Sequence, residues 1–244
     1  MTKIVCTHHT VPMTHLPKEL EGLRIVQLSD FHRSHMTEDS LLQQAVALAN
    51  ETCPDLIVLT GDFVSFLAED IAPCMRILAP LRAPLGIFAV LGNHDYVAGA
   101  KKVEQGLTEL GIQVLTNQNV RLECGLRIVG VEDNRHGRPD VVRAFAGVGP
   151  EEPVLTLVHN PAIAELFTEQ TCLALAGHSH GGQICVPILT TRQVERIGAK
   201  HYRAGWFTLG KTRLYVNRGL GQVGLPFRFR CPPEISVFTL QSRD

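Results

Sequence analysis

The reading of this chain turns on residues 173–185, LALAGHSHGGQIC: a short apolar run, a glycine, then His178 and His180 with one serine between them. In extended backbone, residues two apart point to the same side, so both imidazoles can face one spot. Histidine is the commonest metal ligand among side chains, through a neutral ring nitrogen. Gly177, Gly181 and Gly182 leave room for close approach to the backbone. Alone, an HxH pair is a weak signal that two turn histidines explain more readily, so its meaning depends on the rest of the chain.

Four more apolar runs stop in the same manner. LRIVQL (23–28) ends at Ser29-Asp30-Phe31-His32 and DLIVL (55–59) at Thr60-Gly61-Asp62. GIFAVL (86–91) ends at Gly92-Asn93-His94-Asp95, and VLTLV (154–158) at His159-Asn160-Pro161. Runs without clean alternation read as strands buried on both faces. Helical patterns fall between them at about 38–51, 70–81 and 98–110, with a weaker one at 140–145. Further strands are expected at 3–9, 113–115, 120–124 and 126–131, and the tail from 206 to 240 (FTL, TRLYV, EISVFTL) reads as antiparallel strands. No repeat or linker interrupts the chain, which predicts one α/β domain over residues 1–244.

In open α/β sheets, ligands bind beyond the carboxyl ends of the strands. Five such ends can pool Asp30, His32, Asp62, Asn93, His159, His178 and His180 in one crevice. A capping Asp or Asn accounts for any one of them, but not for all five ends together.

The bulk numbers agree with a soluble globular protein: 45% hydrophobic residues and 19% charged. The net charge of −1 conceals a basic flank, residues 190–233, with nine Lys/Arg against one acid, Glu195. Such a flank beside an acidic body suits an anionic partner. Seven scattered cysteines without a CxxC argue against a disulfide framework or zinc finger and suit a reducing compartment. No apolar run approaches the ~18 residues of a membrane span, and the N-terminus lacks an apolar signal core. His8, His9 and His15 read as ordinary surface or turn residues.

Two Asp, four His and one Asn, with no thiolate, suit divalent Mn, Fe or Zn. Seven donors are too many for one small cation that keeps an open position, whereas two ions sharing a bridging carboxylate would use them all. Two ions ~3.5–4 Å apart can clamp a phosphoryl group through an in-line displacement. The chemistry this suggests is hydrolysis of a phosphate ester, diester or anhydride.

The blocks DFH, GD, GNHD, H and GHSH, in that order over residues 30 to 180, resemble the calcineurin-like metallophosphoesterases. LPKELEGLRIVQLSD, GIFAVLGNHDY, GHSHGGQICVP and YVNRGLGQVGLPFRFRCPPEISVFTL extend the resemblance, over nearly the whole chain, to the YaeI/YkuE-like phosphodiesterase branch. That branch is related to the UDP-2,3-diacylglucosamine hydrolases. The resemblance implies a four-layer α/β/β/α sandwich of two mixed sheets flanked by helices. It also implies a dinuclear-metal-dependent phosphoesterase acting on a phosphodiester or pyrophosphate by attack of a metal-bridging hydroxide.

Carried over residue by residue, Asp30, His32 and His180 would hold one ion, Asp62 would bridge, and Asn93, His159 and His178 would hold the second. Manganese is the first choice, with iron and zinc as alternatives. His94 resembles the residue that contacts the scissile phosphate and protonates the leaving oxygen, and Asp95 would sit behind it and fix its tautomer. The first block reads SDFHRS where the family usually carries SDLHLG, so Arg33 and Ser34 alter the lip of the site.

Arg33, Asp133, Arg218 and Arg228 are the expected substrate contacts, with Glu132 beside Asp133 at the rim. Phe227 and Phe229, interleaved with arginines, suggest an amphipathic loop that touches a membrane, at least one of the two packing in the core. Branch members are often tethered by an N-terminal segment, and none is expected here. The expected setting is therefore cytoplasmic or peripheral at the inner membrane face, with a phosphorylated small-molecule or lipid-linked substrate. The alternatives are a nuclease or phosphomonoesterase of the same superfamily, or a non-catalytic interaction module; a nuclease would normally carry a longer basic surface.

Overall fold

Alternation within the short strands decides which way each layer faces. In a computed structural model describing residues 3–13, 16–170, 172–186 and 189–243, the first sheet begins with β1 (Val5–Met13). His15 lies outside the described residues. The chain then forms β2 (Arg24–Leu28), β3 (Leu56–Leu59), β4 (Ile87–Ala89) and β5 (Gln113–Val114), and β12 (Glu234–Ser242) returns to the same sheet. The order is β1-β12-β2-β3-β4-β5, with β2 to β5 parallel and β12 antiparallel to β2.

The second sheet contains β6 (Gln118–Arg121), β7 (Arg127–Gly130), β8 (Val154–Leu157), β9 (Leu173–Ala176), β10 (Gly205–Leu209) and β11 (Thr212–Val216). Its order is β10-β11-β9-β8-β7-β6, and it too is mixed.

Successive residues of each strand go to different layers, as a period of two requires. Val26, Leu28, Ile57 and Leu59 face α1 (Asp39–Glu51), α2 (Ile71–Leu78) and α3 (Asn93–Glu109), meeting Leu42, Val46, Leu78, Val103 and Leu107. Ile25, Leu56, Val58 and Phe88 turn the other way and meet Ile128, Leu155, Leu157, Leu173 and Leu175 of the second sheet. On the far side of that sheet, Val129, Val154, Ala174 and Val216 pack against α4 (Val141–Ala144) and the 3-10 turn Pro161–Phe167. The result is the α/β/β/α sandwich.

Three departures from the sequence reading have physical reasons. The tail is not simply antiparallel: β11 runs parallel to β9, and β12 runs parallel to β1. Residues Glu234 to Phe238 of β12 are all buried, and a strand covered on both faces belongs inside a sheet. Helix α3 starts at Asn93, within the GNHD block, because Asp95 caps its first turn and Gly99 (φ 123°) absorbs a kink. Helix α5 (Leu189–Arg196) is not expected from the sequence, because its eight residues include only two apolar ones, Leu189 and Val194, too few to show a helical period.

At the carboxyl end of β2 the sheets are tied together. The buried Gln27 Nε2 donates to Thr60 Oγ1 (3.0 Å) and to Ala176 O (2.9 Å), fixing β9 against β2 and β3 just below the histidine loop. No helix among the described residues is long and apolar enough to cross a membrane.

Candidate metal centre

The strands leave their sheets through left-handed backbone: Asp30 (φ 50°), His32 (44°), Asp62 (55°), His178 (69°) and His180 (52°). Extended backbone does not therefore aim His178 and His180 together, as the HxH spacing had suggested. The chain folds back at each of them, and the two rings diverge.

His180 Nε2 lies 2.9 Å from His32 Nε2 and 3.4 Å from Asp30 Oδ1. His178 Nδ1 lies 3.0 Å from His159 Nε2, which is itself 3.2 Å from Asn93 Oδ1. Asp62 stands between the pairs, its Oδ2 3.3 Å from His32 Nε2 and 3.2 Å from His159 Nε2. Ligand atoms thus converge in two groups, Asp30-His32-His180 and Asp62-His159-His178, while a third group joins His32, Asp62 and His94. Asp30, His32 and His159 are fully shielded from solvent.

The outer nitrogens leave the inner ones free to act as ligand atoms. His159 Nδ1 faces Thr60 O at 2.7 Å and His178 Nε2 faces Ile197 O at 2.8 Å. A carbonyl only accepts, so both outer nitrogens carry hydrogen. In the neutral rings the inner nitrogens then present two lone pairs to each other, and a positive charge must satisfy them. A proton on His159 does so, because the charge and hydrogen bond of Asp62 overcome burial and raise that imidazole to about 10. A divalent cation does so equally.

Burial, then the neighbouring His159, pushes His178 down to about 3, keeping it in the neutral form a metal requires. Burial also holds His180 well below the usual imidazole range. For Asp62, burial acts upward, but His159 and His32 outweigh it and leave the carboxylate well below its ordinary value. Among the described residues, the only cationic partners in ion-pair contact with Asp30 or Asp62 are these imidazoles. The donor set fits a pair of hard-to-intermediate divalent ions.

Residues 23–182 match the sequence profile of the calcineurin-like phosphoesterase family. The chain belongs to that family. It is 36% identical over 98% of its length to the uncharacterized metallophosphoesterase YkuE of Bacillus subtilis, covering 86% of that protein. It is 34% identical to the phosphodiesterase YaeI of Escherichia coli, covering 89% of this chain and 82% of that one. A further relative is the UDP-2,3-diacylglucosamine pyrophosphatase LpxG of Chlamydia trachomatis, at 31% identity over 91% of this chain and 85% of that protein. This chain is accordingly a metallophosphoesterase, a hydrolase of phosphoric esters, and its family uses a dinuclear metal centre.

The other expected site residues of this phosphoesterase sit less simply. His94 flanks the centre: its Nδ1 donates to Ser65 O at 2.7 Å, leaving Nε2 as the nitrogen with no protein partner among the described residues. Asp95 is not behind it. The Asp95 carboxylate accepts from the backbone N–H groups of Gly92, Asp62, Phe63 and Val64 at 2.8 to 3.3 Å and so anchors the loop that carries Asp62. The carbonyl of Ser65 fixes the His94 tautomer, a partner that no local pattern identifies.

The crevice, about 140 Å³, is lined by Asp62, Asn93, His94, His178 and His180 together with Arg135. Arg33, Asp133, Arg218 and Arg228 are not in that lining. Arg33 pairs with Asp39 and Asp70, and Arg218 with Glu234. Arg228 spends its fork on backbone oxygens, chiefly Gly221 O and Arg218 O, with a longer contact to His180 Nδ1 at 3.3 Å. Asp133 caps the turn that follows it, accepting from the N–H groups of Arg135 and His136.

Arg135 was missed by sequence reasoning. Its signal is the basic run NRHGR just after the strand-ending Glu132-Asp133. Phe227 and Phe229 are both about half-exposed, so neither packs in the core.

Proposed function

We propose that the two ligand groups hold two divalent cations, Mn²⁺ in preference to Fe or Zn, and that the chain hydrolyses a phosphodiester or pyrophosphate. The observation that carries this reading is Asp62 Oδ2, placed between imidazoles of both groups at 3.2 and 3.3 Å. When bound, such ions activate water and polarise the phosphoryl oxygens. Asp30, His32 and His180 serve the first ion, Asn93, His159 and His178 the second, and Asp62 both.

His94, held by Ser65 O through Nδ1–H, presents Nε2 to the leaving oxygen; as the imidazolium it delivers the Nε2 proton there and is left neutral with its hydrogen on Nδ1. Arg135, rather than the tail arginines, meets the second phosphoryl group or the remainder of the anion. The centre draws on loops of both sheets, so residues 1–244 act as one catalytic domain. Half-exposed Phe66, which packs against His94 with ring centroids 4.8 Å apart, suits a substrate with an apolar portion. Leu225, Phe227 and Phe229 suit peripheral contact with a membrane at its cytoplasmic face. The name of the LpxG relative points to the same lipid-linked, UDP-diacylglucosamine-type class of substrate.

The test is Mn²⁺-loaded protein assayed on bis-p-nitrophenyl phosphate, p-nitrophenyl phosphate and UDP-2,3-diacylglucosamine. Diester or pyrophosphate cleavage should exceed monoester cleavage and should vanish in Asp62→Ala. Full activity in that variant would overturn the assignment.

A further inference from the structure

A second cavity, about 270 Å³, lies at the opposite end of β9 from the histidines, beside Leu173, where β9 begins. It opens on the seam between the two sheets. The first sheet contributes Val11, Pro12 and Met13, and the start of the second contributes Pro153, Cys172 and Leu173. Arg213, Arg243 and Lys211 complete the wall together with Glu152.

The charge balance of this cavity is unusual. Glu152 is already committed, with Arg127 at 2.8 Å and Arg121 at 3.8 Å. Among the described residues, the Lys211 ammonium has only a long surface contact to Glu169, at 3.8 Å. Arg213 stacks its guanidinium over Trp206, 4.7 Å from the ring centre, and its Nη1 is shielded from solvent with no hydrogen-bond partner among the described residues. Its second neighbour of note is another cation, Arg243, whose charge adds to burial in depressing the Arg213 pKa. A guanidinium without a carboxylate partner among the described residues, beside a like charge, is a costly arrangement unless an anion completes it.

We propose that this cavity is a binding site for a small amphiphilic anion, a sulfonate-, phosphate- or carboxylate-type head carried on a short apolar tail. The head sits between Arg213 and Arg243, and the tail lies along Val11, Pro12, Met13, Pro153 and Leu173. The site is separate from the metal centre and does not depend on its occupancy.

The probe is n-octanesulfonate, whose head is a poor metal ligand, titrated calorimetrically into the full chain with and without EDTA. One equivalent should bind in both conditions. Methanesulfonate and octanol, head and tail alone, should each bind at least tenfold more weakly. Arg213→Gln and Arg243→Gln should each weaken octanesulfonate at least tenfold. Arg243→Gln, at an exposed position just past β12, tests the site should Arg213→Gln fail to fold.

Flotation with phosphatidylglycerol vesicles against phosphatidylcholine vesicles distinguishes a membrane source of the anion. Vesicle binding that needs both arginines, without binding of the soluble probe, would mean a surface patch and overturn the cavity site. Binding abolished by EDTA, or unchanged in both arginine variants, would place the anion elsewhere and overturn it as well.

Discussion

Asp95→Asn replaces one carboxylate oxygen by an NH₂ group and changes almost nothing in shape. Oδ1 accepts from Phe63 N (2.8 Å) and Val64 N (3.3 Å), and Oδ2 from Gly92 N (2.8 Å) and Asp62 N (2.9 Å). Either orientation of the amide therefore turns a donor toward two backbone donors. Asp95 is fully buried, so water cannot take over.

A buried donor left without a partner costs ~1–3 kcal/mol, so two of them predict a loss of roughly 2–6 kcal/mol. That is a large part of an ordinary domain's stability of ~5–15 kcal/mol. Because the lost bonds fix Asp62 and its neighbours, metal affinity should fall with stability. Urea unfolding measures the first and metal content after dialysis the second. The pH–rate profile distinguishes this role from the one the sequence suggested. If Asp95 governed the His94 tautomer, the variant would move the alkaline limb, where a general acid loses its proton, and leave stability alone. A stability loss below about 0.5 kcal/mol, together with a shifted alkaline limb, would refute the backbone-anchor account.

His178→Ala and His180→Ala should each lose about one equivalent of metal, since the two rings lie in different ligand groups; equal loss of both metals from either variant would mean a single shared site. Gly92→Ala puts a methyl 2.2 Å from Asp62 Oδ1 and 2.7 Å from His159 Cε1. It should cost about 1–3 kcal/mol by overpacking and remove most activity, checked by denaturation and turnover on the diester. Glu234→Gln should cost roughly 3 kcal/mol, because it breaks a buried pair with the partly exposed Arg218. Burial acts upward on Glu234, but the Tyr215 hydroxyl and Arg218 outweigh it and lower its pKa. Its stabilisation is thus full above the ordinary glutamate value of ~4.3 and fades as pH falls through the lower folded value. Urea midpoints of parent and variant should converge on acidification.

The candidate ligands are legible because each depends on a local signal, an apolar run that stops at a polar, metal-competent residue. Asp30, Asp62, Asn93, His159 and the GHSH pair all carry it. What stayed hidden rests on long-range partners. Arg228 reads as a free cation in FRFR, yet its fork is taken by the carbonyls of Gly221 and Arg218, which only the folded tail brings near. Asp95 reads as a partner for the adjacent His94, yet its acceptors serve N–H groups some thirty residues earlier in the chain. Arg135 lies in an exposed polar loop, where the basic run NRHGR is a hint but not a sign that its side chain reaches the crevice. The place of β12, between β1 and β2, follows from burial on both faces, which alternation in the tail obscured.

The deeper omission is backbone conformation. Five of the seven candidate ligands occupy left-handed backbone that non-glycine residues avoid at a cost on the order of 1 kcal/mol or more each. Such strain persists only where the surroundings over-determine it, and here they do. Asp30 O accepts from Gly221 N at 2.7 Å, and both Asp30 oxygens accept from His178 N at 3.0 Å. Asp62 is pinned through Asp95 and by His94 N, which donates to its Oδ1 at 2.8 Å.

Close glycines make room for this: a Cβ on Gly177 would fall 2.3 Å from Asp30 Oδ2, and one on Gly219 would fall 2.6 Å from Asp30 Cβ. The glycines flanking the motifs are therefore part of the centre, because they permit the turns that aim the ligands. Since protein hydrogen bonds already hold the turns, cations entering the centre need to displace protons more than to reorganise the chain. Metal affinity should consequently track pH more steeply than it tracks variation in the distant core.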